Sequence, residues 1–215
     1  MLKKVYTETE LIDTFNLKRI VKPITPRMKA WLSAPEPVFT PFEQHVFDEK
    51  YAEALDNIVA WNEEKLKMHL ITHILGLGHL RDTQKYILLY EKPLKHTING
   101  IPLSVQTDFM IAKGRLDIYK EPYFHFQEYK PEKNPSGDAM AQLLQAMMIG
   151  QEKNNNGKPI YGCEIIGRTW TFVIMEGQSY CISKKFDAID KQELLKIIAV
   201  LRKFKEILET ELLES

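Results

Sequence analysis

The chain lacks most of the features that announce the commoner kinds of protein. Only two cysteines occur, Cys163 and Cys181, 18 positions apart and each inside an apolar, strand-like run. They read as reduced core residues, with a disulfide or metal-holding pair as the alternative. Net charge is missing too, since 29 Lys and Arg balance 29 Asp and Glu. That balance argues against a general polyanion binder, whose affinity comes mostly from cations set against phosphates, and leaves room only for a local basic patch. No apolar run approaches the ~18 residues of a membrane span, and Met1-Leu2-Lys3-Lys4 leads into no apolar signal region. A cytoplasmic location with no membrane partner is therefore expected. Six histidines are present, but none has a spacing suited to zinc, and His73 reads as a hydrogen-bonded core residue. No P-loop, dinucleotide fingerprint, nucleophile elbow or internal repeat is found.

What is present is a soluble globular composition, 215 residues with 44% hydrophobic and 27% charged side chains. That length suits one domain with a sizeable core and an appended arm. Residues 1–47 form the arm. Pro23, Pro26, Pro35, Pro37 and Pro41 bar a continuous helix there, so an extended segment is expected, with one short helical turn at MKAWL. Trp31, Val38, Phe39 and Phe42 in it need somewhere to bury, either on the chain's own domain or across a homodimer.

Residues 48–215 form the domain. From Asp48 to Leu77 the spacing predicts a helix, with Leu55, Val59, Leu66, Leu70, His73 and Leu77 on one stripe. Strand-like runs follow, and Asn99-Gly100 is a strong two-residue hairpin signal that should pair 85–98 with 101–112. A further strand (121–130), a helix from Asp138, two or three strands over 159–183 and a helix begun by Asp190 with Glu193 complete the order. The expected class is α/β, with α+β as the alternative: a central mixed sheet flanked by helices, with the arm at one end and a C-terminal helix at the other.

Chemistry concentrates between Ile101 and Gln151. IPLSVQTDFMIAKG carries one acid, Asp108, in an alternating strand. EPYFHFQEYKPE is an aromatic-rich strand ending in Glu128 and Lys130, which share a face about 7 Å apart by strand alternation. The same alternation groups Phe124 and Phe126 with them and puts Tyr123, His125, Gln127 and Tyr129 on the other face. A turn near 116–117 sets Asp108 opposite residues around 126, so that two carboxylates converge. Such a pair suits Mg²⁺ or Mn²⁺, hard cations that keep waters and need only one or two carboxylates beside a substrate phosphate. The Tyr129 carbonyl is a further candidate ligand. Asp117 competes as the first acid, but it lies nearer the turn, which would carry it away from Glu128.

An acid on one strand and E-x-K on the next, with a helix after them, resembles the PD-(D/E)xK nuclease superfamily. Here TDFMIA supplies Asp108 and QEYK supplies Glu128 and Lys130, over roughly residues 50–185. Thr107 stands where the motif has proline. The segment EYKPEKNPSGDAMAQLLQAMMIGQEKNN and the following PIYGCEIIGRTWTF are similar to a group of nuclease-like bacterial proteins, many from Bacteroidetes. The resemblance implies a restriction-endonuclease-like core and metal-dependent hydrolysis of nucleic acid, most simply DNA. It makes Asp108 and Glu128 metal ligands and Lys130 the catalytic lysine. It also implies a helix glutamine facing the site, matched by Gln142, and a first-helix glutamate completing it, matched by Glu63; otherwise Glu63 is a surface partner of Lys67 four residues on. Lys113, Arg115 and Lys133 are loop cations able to meet phosphate. The competing class is a non-catalytic nucleic-acid-binding or assembly subunit built on a nuclease-like fold.

Overall fold

The structure, a computed structural model, describes residues 6–116, 118–133 and 135–213. Among these, seven strands form one mixed sheet: β1 (Lys18–Ile20), β2 (Tyr86–Ile98), β3 (Ile101–Arg115), β4 (Ile118–Lys130), β5 (Ile160–Ile166), β6 (Thr169–Glu176) and β7 (Ser179–Asp187). Their order across the sheet is β1-β7-β6-β5-β4-β3-β2. The α/β expectation holds at this level.

The predicted hairpin forms as expected. Asn99 and Gly100 take φ of 51° and 78°, the mirror-image turn that matches strand twist, and Ile98 pairs with Ile101. β3 then turns back antiparallel onto β4, whereas β4 and β5 run parallel. A parallel pair needs a long crossover, which α6 (Ala139–Asn154) supplies. The side chain of Asp138 caps this helix through the Ala141 N–H. Close helix–sheet approach is possible because residue 150 is glycine; a Cβ there would lie 2.7 Å from the Phe126 ring. Turns at 167–168 and 177–178 separate β5, β6 and β7, so the two or three strands expected over 159–183 are three.

Helices cover both faces. On one face, α2 (Pro26–Leu32), α3 (Pro41–Asn57), the segment from α4 (Glu63–Leu66) to α5 (Thr72–Leu77), and α7 (Lys191–Ile207) share a core with Phe109, Ile165 and Phe172. On the other face, α1 (Glu8–Phe15) and α6 enclose Met110, Phe126 and Val173. Cys163 and Cys181 are both buried and unbridged.

Three expectations need correction. The arm is not an extended strand of chain. Pro26 and Pro41 stand at helix starts behind the capping hydroxyls of Thr25 and Thr40, where a missing N–H costs nothing, so these prolines begin helices rather than bar them. Trp31 is fully buried, donating its indole N–H to the Val200 carbonyl at 2.9 Å and meeting Tyr161 edge-on at 4.8 Å.

Second, the helix expected over 48–77 is broken. Ile58–Ala60 tightens into a short 3₁₀ turn, and Asn62 caps a new start with its side chain on the Lys65 N–H. The break resets the helical phase, leaving Leu55 and Val59 52% and 42% exposed while Leu66, Leu70 and Leu77 are buried. Downstream, Lys67–Ile71 form a wider π turn before α5. His73 is only half-buried there.

Third, Tyr123 and Phe124 trade faces. The β3–β4 register slips between the Ile111–His125 and Ala112–Tyr123 pairs, so one extra residue on β4 reverses the alternation upstream of it. Phe124 joins the α7-side core and Tyr123 the α6-side core.

Residues 26–47 are thus structural. Trp31→Ala should lower the unfolding free energy by about 3–5 kcal/mol, the usual loss for a fully buried tryptophan, while Phe42→Ala, at an exposed site, should shift it by less than about 0.5 kcal/mol. Paired urea denaturation curves test this. Equal, small effects would mean that the segment is only loosely attached.

Candidate active site

The site lies where β3 and β4 part. Their ladder ends at the Phe109–Gln127 pair. One step further the strands no longer bond directly; the Asp108 carboxylate takes the Tyr129 N–H at 2.7 Å instead. An extended residue sends its N–H and C=O to the same side, so the Tyr129 carbonyl faces this gap as well.

Glu128 and Lys130 follow the predicted alternation. The Lys130 ammonium donates to Glu128 at 2.7 Å and lies 3.5 Å from the Gln142 amide oxygen, the outer limit of a hydrogen bond. Both charged residues are buried. Gln142 reaches them because α6 packs directly over β4. Glu63 is joined to the site through Lys67: its carboxylate lies 2.9 Å from the Lys67 ammonium, which is also 3.4 Å from Asp108 and 3.4 Å from Glu91. The structure therefore brings Asp108, Glu128, Tyr129, Lys130, Gln142 and Glu63 to one end of the sheet. Asp117 lies outside the described residues. Clefts of about 600 and 720 Å³ lie elsewhere on the molecule.

Sequence reasoning missed three members of this neighbourhood. Lys67 was only a partner for Glu63, but the π turn that begins at this residue sets its ammonium among three carboxylates. Glu91 sits across from Asp108 if the Ile98–Ile101 pair is counted back along the hairpin, arithmetic that the sequence allowed. It takes φ 50° in mid-strand, a left-handed conformation costly for a non-glycine residue. Thr107 beside it donates to the Lys92 carbonyl, anchoring the strand at this interruption. Glu164 pairs directly with Glu128 on β5 and is buried. No short motif marks it.

Behind the site, on the opposite face of β4, the buried Tyr129 hydroxyl donates to Gln127 at 2.5 Å, and Gln127 in turn meets His125. Burial holds the His125 imidazole down to about 3, so it is neutral. This ladder fixes the strand that carries Glu128 and Lys130.

Electrostatically the acids are under strain. Burial raises the Asp108 pKa, and the Tyr129 N–H and Lys67 only partly offset it. Burial, then the charge of Asp108, pushes Glu128 up to about 7 against the pull of Lys130. Burial draws Lys67 down, but Glu63 and Asp108 more than reverse it.

A divalent cation would relieve this excess of negative charge. Among the described residues no group of three or more His, Cys, Asp or Glu is placed to hold a metal ion. Mg²⁺ asks for less: one or two carboxylates, with water and substrate phosphate completing the shell. The Lys67 ammonium, centred on three carboxylates, marks the place as one that holds a cation. The donor set therefore fits an open Mg²⁺ or Mn²⁺ site. No protein-family model matches this chain, and no curated protein matches it.

The pH dependence follows with a definite sign. Glu128 has a folded-state pKa of about 7, above the ordinary glutamate value. Its stabilising contribution is thus complete below the unfolded pKa and disappears as pH rises through about 7. In metal-free buffer the unfolding free energy should fall by about 2–3 kcal/mol between pH 5 and pH 8 through this group. Glu128→Gln should abolish that part of the fall, and Mg²⁺ should reduce it in the wild type. Urea denaturation at the two pH values, with and without chelator, reads this directly; a fall unchanged in Glu128→Gln would remove Glu128 as its source.

Proposed function

We propose that this chain is a Mg²⁺- or Mn²⁺-dependent nuclease of the PD-(D/E)xK type, with a restriction-endonuclease-like core, hydrolysing phosphodiester bonds of DNA. The observation that carries this reading is the convergence of Asp108, Glu128 and Lys130 where β3 and β4 separate. The strand, strand, helix, strand order of β3, β4, α6 and β5 supports it.

In this reading Asp108 and Glu128 hold the cation, with the Tyr129 carbonyl and Glu63 as further ligands. A cation held there would neutralise charge on the phosphate and lower the pKa of the attacking water. Lys130, beside Glu128 at 2.7 Å, would donate to the attacking water or to a non-bridging phosphate oxygen. Gln142 holds the Lys130 ammonium on line from α6. Lys67 would shift off Asp108 toward Glu91, which keeps a counter-charge ready for it. That shift would open the face of Asp108 to substrate.

A second reading keeps the fold but not the catalysis: a nucleic-acid-binding or assembly subunit. One observation favours it, the lack among the described residues of a group of three or more His, Cys, Asp or Glu placed to hold a metal ion.

The two readings separate on Lys130→Ala. For a nuclease, DNA cleavage in Mg²⁺ or Mn²⁺ should fall about 100-fold or more, within the range for loss of a proton-transfer or charge-stabilising group, while Mn²⁺ binding persists. Asp108→Ala should lose both. Calorimetric titration run beside cleavage of single- and double-stranded DNA makes the comparison. A wild type that neither binds metal in the presence of DNA nor cleaves it would leave only the non-catalytic reading.

A further inference from the structure

The β2–β3 hairpin runs on past the end of its ladder with β4. That ladder stops at Phe109, so residues 101–107 of β3 pair only with β2, and the two strands continue as a ribbon to the turn at Asn99-Gly100. The inward side of the ribbon is apolar: Leu94, Ile98, Leu103 and Val105 are buried in the core on the α6 side. The outward side is open. Pro93, Lys95, Thr97, Pro102, Ser104 and Gln106, paired directly across the two strands, are all exposed.

The ribbon differs from the rest of the chain in charge. Residues 92–107 contain no Asp or Glu, in a sequence with 29 of them. Lys92, Lys95 and His96 have no ion-pair partner among the described residues, whereas Lys67 and Lys130 at the neighbouring site are each held by an acid. Its edges are also closed to another strand. In a two-residue hairpin the pair flanking the turn exchanges hydrogen bonds, and alternate pairs beyond it point their backbone donors away from each other. Pro93 and Pro102 both fall in such outward-pointing pairs, so each edge lacks an N–H where an added strand would need one. A partner must therefore be met by the side chains of the open face.

That face leads into the site. Val105 lies in the α6-side core and Phe109 in the α7-side core, although strict alternation would give them one side, so the ribbon rolls over between them. Asp108 sits in the roll. Beyond Gln106 and Pro93, the next positions along the exposed line are Asp108 and Glu91. From Ser104 to Asp108 is four residues, about 13 Å of extended strand. The major groove of B-DNA, about 12 Å wide, admits a two-stranded ribbon, and Lys, Gln, Ser and Thr side chains bond base edges there.

We infer that the outward face of the β2–β3 ribbon is a contact for the major groove of duplex DNA, entered beside the candidate active site. Lys95, Ser104 and Gln106 face the base edges, and Lys92 and His96, on the edge strand, meet the flanking phosphates. The inference rests on the nuclease reading for the choice of nucleic acid over another acidic partner. It supplies the local basic patch that a chain without net charge needs in order to hold DNA.

The test is equilibrium binding of a labelled 20-base-pair DNA duplex in chelator, so that nothing is cleaved, over a range of salt. Lys92→Gln/Lys95→Gln should bind about 10-fold more weakly than the wild type. Its slope of log affinity against log salt should be smaller by about 1 to 2, close to one per lost phosphate contact. Lys92→Arg/Lys95→Arg should keep wild-type affinity and slope, which separates charge from folding. Lys22→Gln/Lys29→Gln, an equal loss of charge at exposed positions elsewhere, should keep both as well. An RNA duplex of the same sequence should bind at least about 10-fold more weakly than DNA and be indifferent to the ribbon variant, because the A-form major groove is too narrow for side chains to read. An unchanged slope in Lys92→Gln/Lys95→Gln, an equal fall in Lys22→Gln/Lys29→Gln, RNA bound as tightly as DNA, or no duplex binding by the wild type overturns the inference. Cleavage in Mg²⁺ is scored separately. A wild type that binds through the ribbon but never cleaves defeats the nuclease reading and leaves the contact standing; one that cleaves while the ribbon variant binds normally does the reverse.

Discussion

Everything around the site depends on holding the carboxyl groups of Asp108 and Glu128 side by side in a place poor in water. Neither carboxylate is comfortable there, since burial raises both pKa values and the charge of Asp108 raises that of Glu128 further. Two lysines answer this from opposite sides. Lys130 is built into the same strand as Glu128, and Lys67 arrives from the helical segment across the gap. The result is a cluster in which two ammonium groups stand among Asp108, Glu128, Glu63 and Glu91 and leave an excess of negative charge.

Holding that balance requires a rigid frame. β4 is fixed on one face by the close approach of α6 and on the other by the His125, Gln127 and Tyr129 ladder, so Glu128 and Lys130 have little freedom to move. The strand beside it, β2, is interrupted at Glu91, across from Asp108, whose carboxylate takes the Tyr129 N–H. The N-terminal segment contributes from a distance. α2 closes the core over Tyr161 and Phe172 through Trp31, and the backbone N–H of Glu8 bonds the carboxylate of Asp138, the residue that caps α6.

Much of this was legible in the residues themselves. Asn99-Gly100 fixed one register, and the alternation in QEYK placed Glu128 and Lys130 on one face, because both signals are local and depend on few neighbours. The start of a helix at Asp138 was equally local. The misreadings arose where a pattern depended on an unseen event. A single inserted residue near Phe124 reversed two faces, and a capping asparagine at position 62 reset a helix that the hydrophobic spacing alone made continuous. Prolines at 26 and 41 were read as breakers because their effect depends on position in the helix. Lys67 could be read only as a partner of Glu63, since its approach to Asp108 comes from a π turn meeting a strand 41 residues away.

The most direct probe of the site is anomalous diffraction from crystals soaked in Mn²⁺. A metal-dependent site predicts one strong peak in the gap between β3 and β4, within about 2.2 Å of an Asp108 oxygen and a Glu128 oxygen, near the distances of octahedral oxygen ligation. It also predicts that the Lys67 ammonium has moved off Asp108 toward Glu91. A fully soaked crystal with no peak there, and with Lys67 still centred on the three carboxylates, would contradict it, because the lysine would then be the resident cation and not its stand-in.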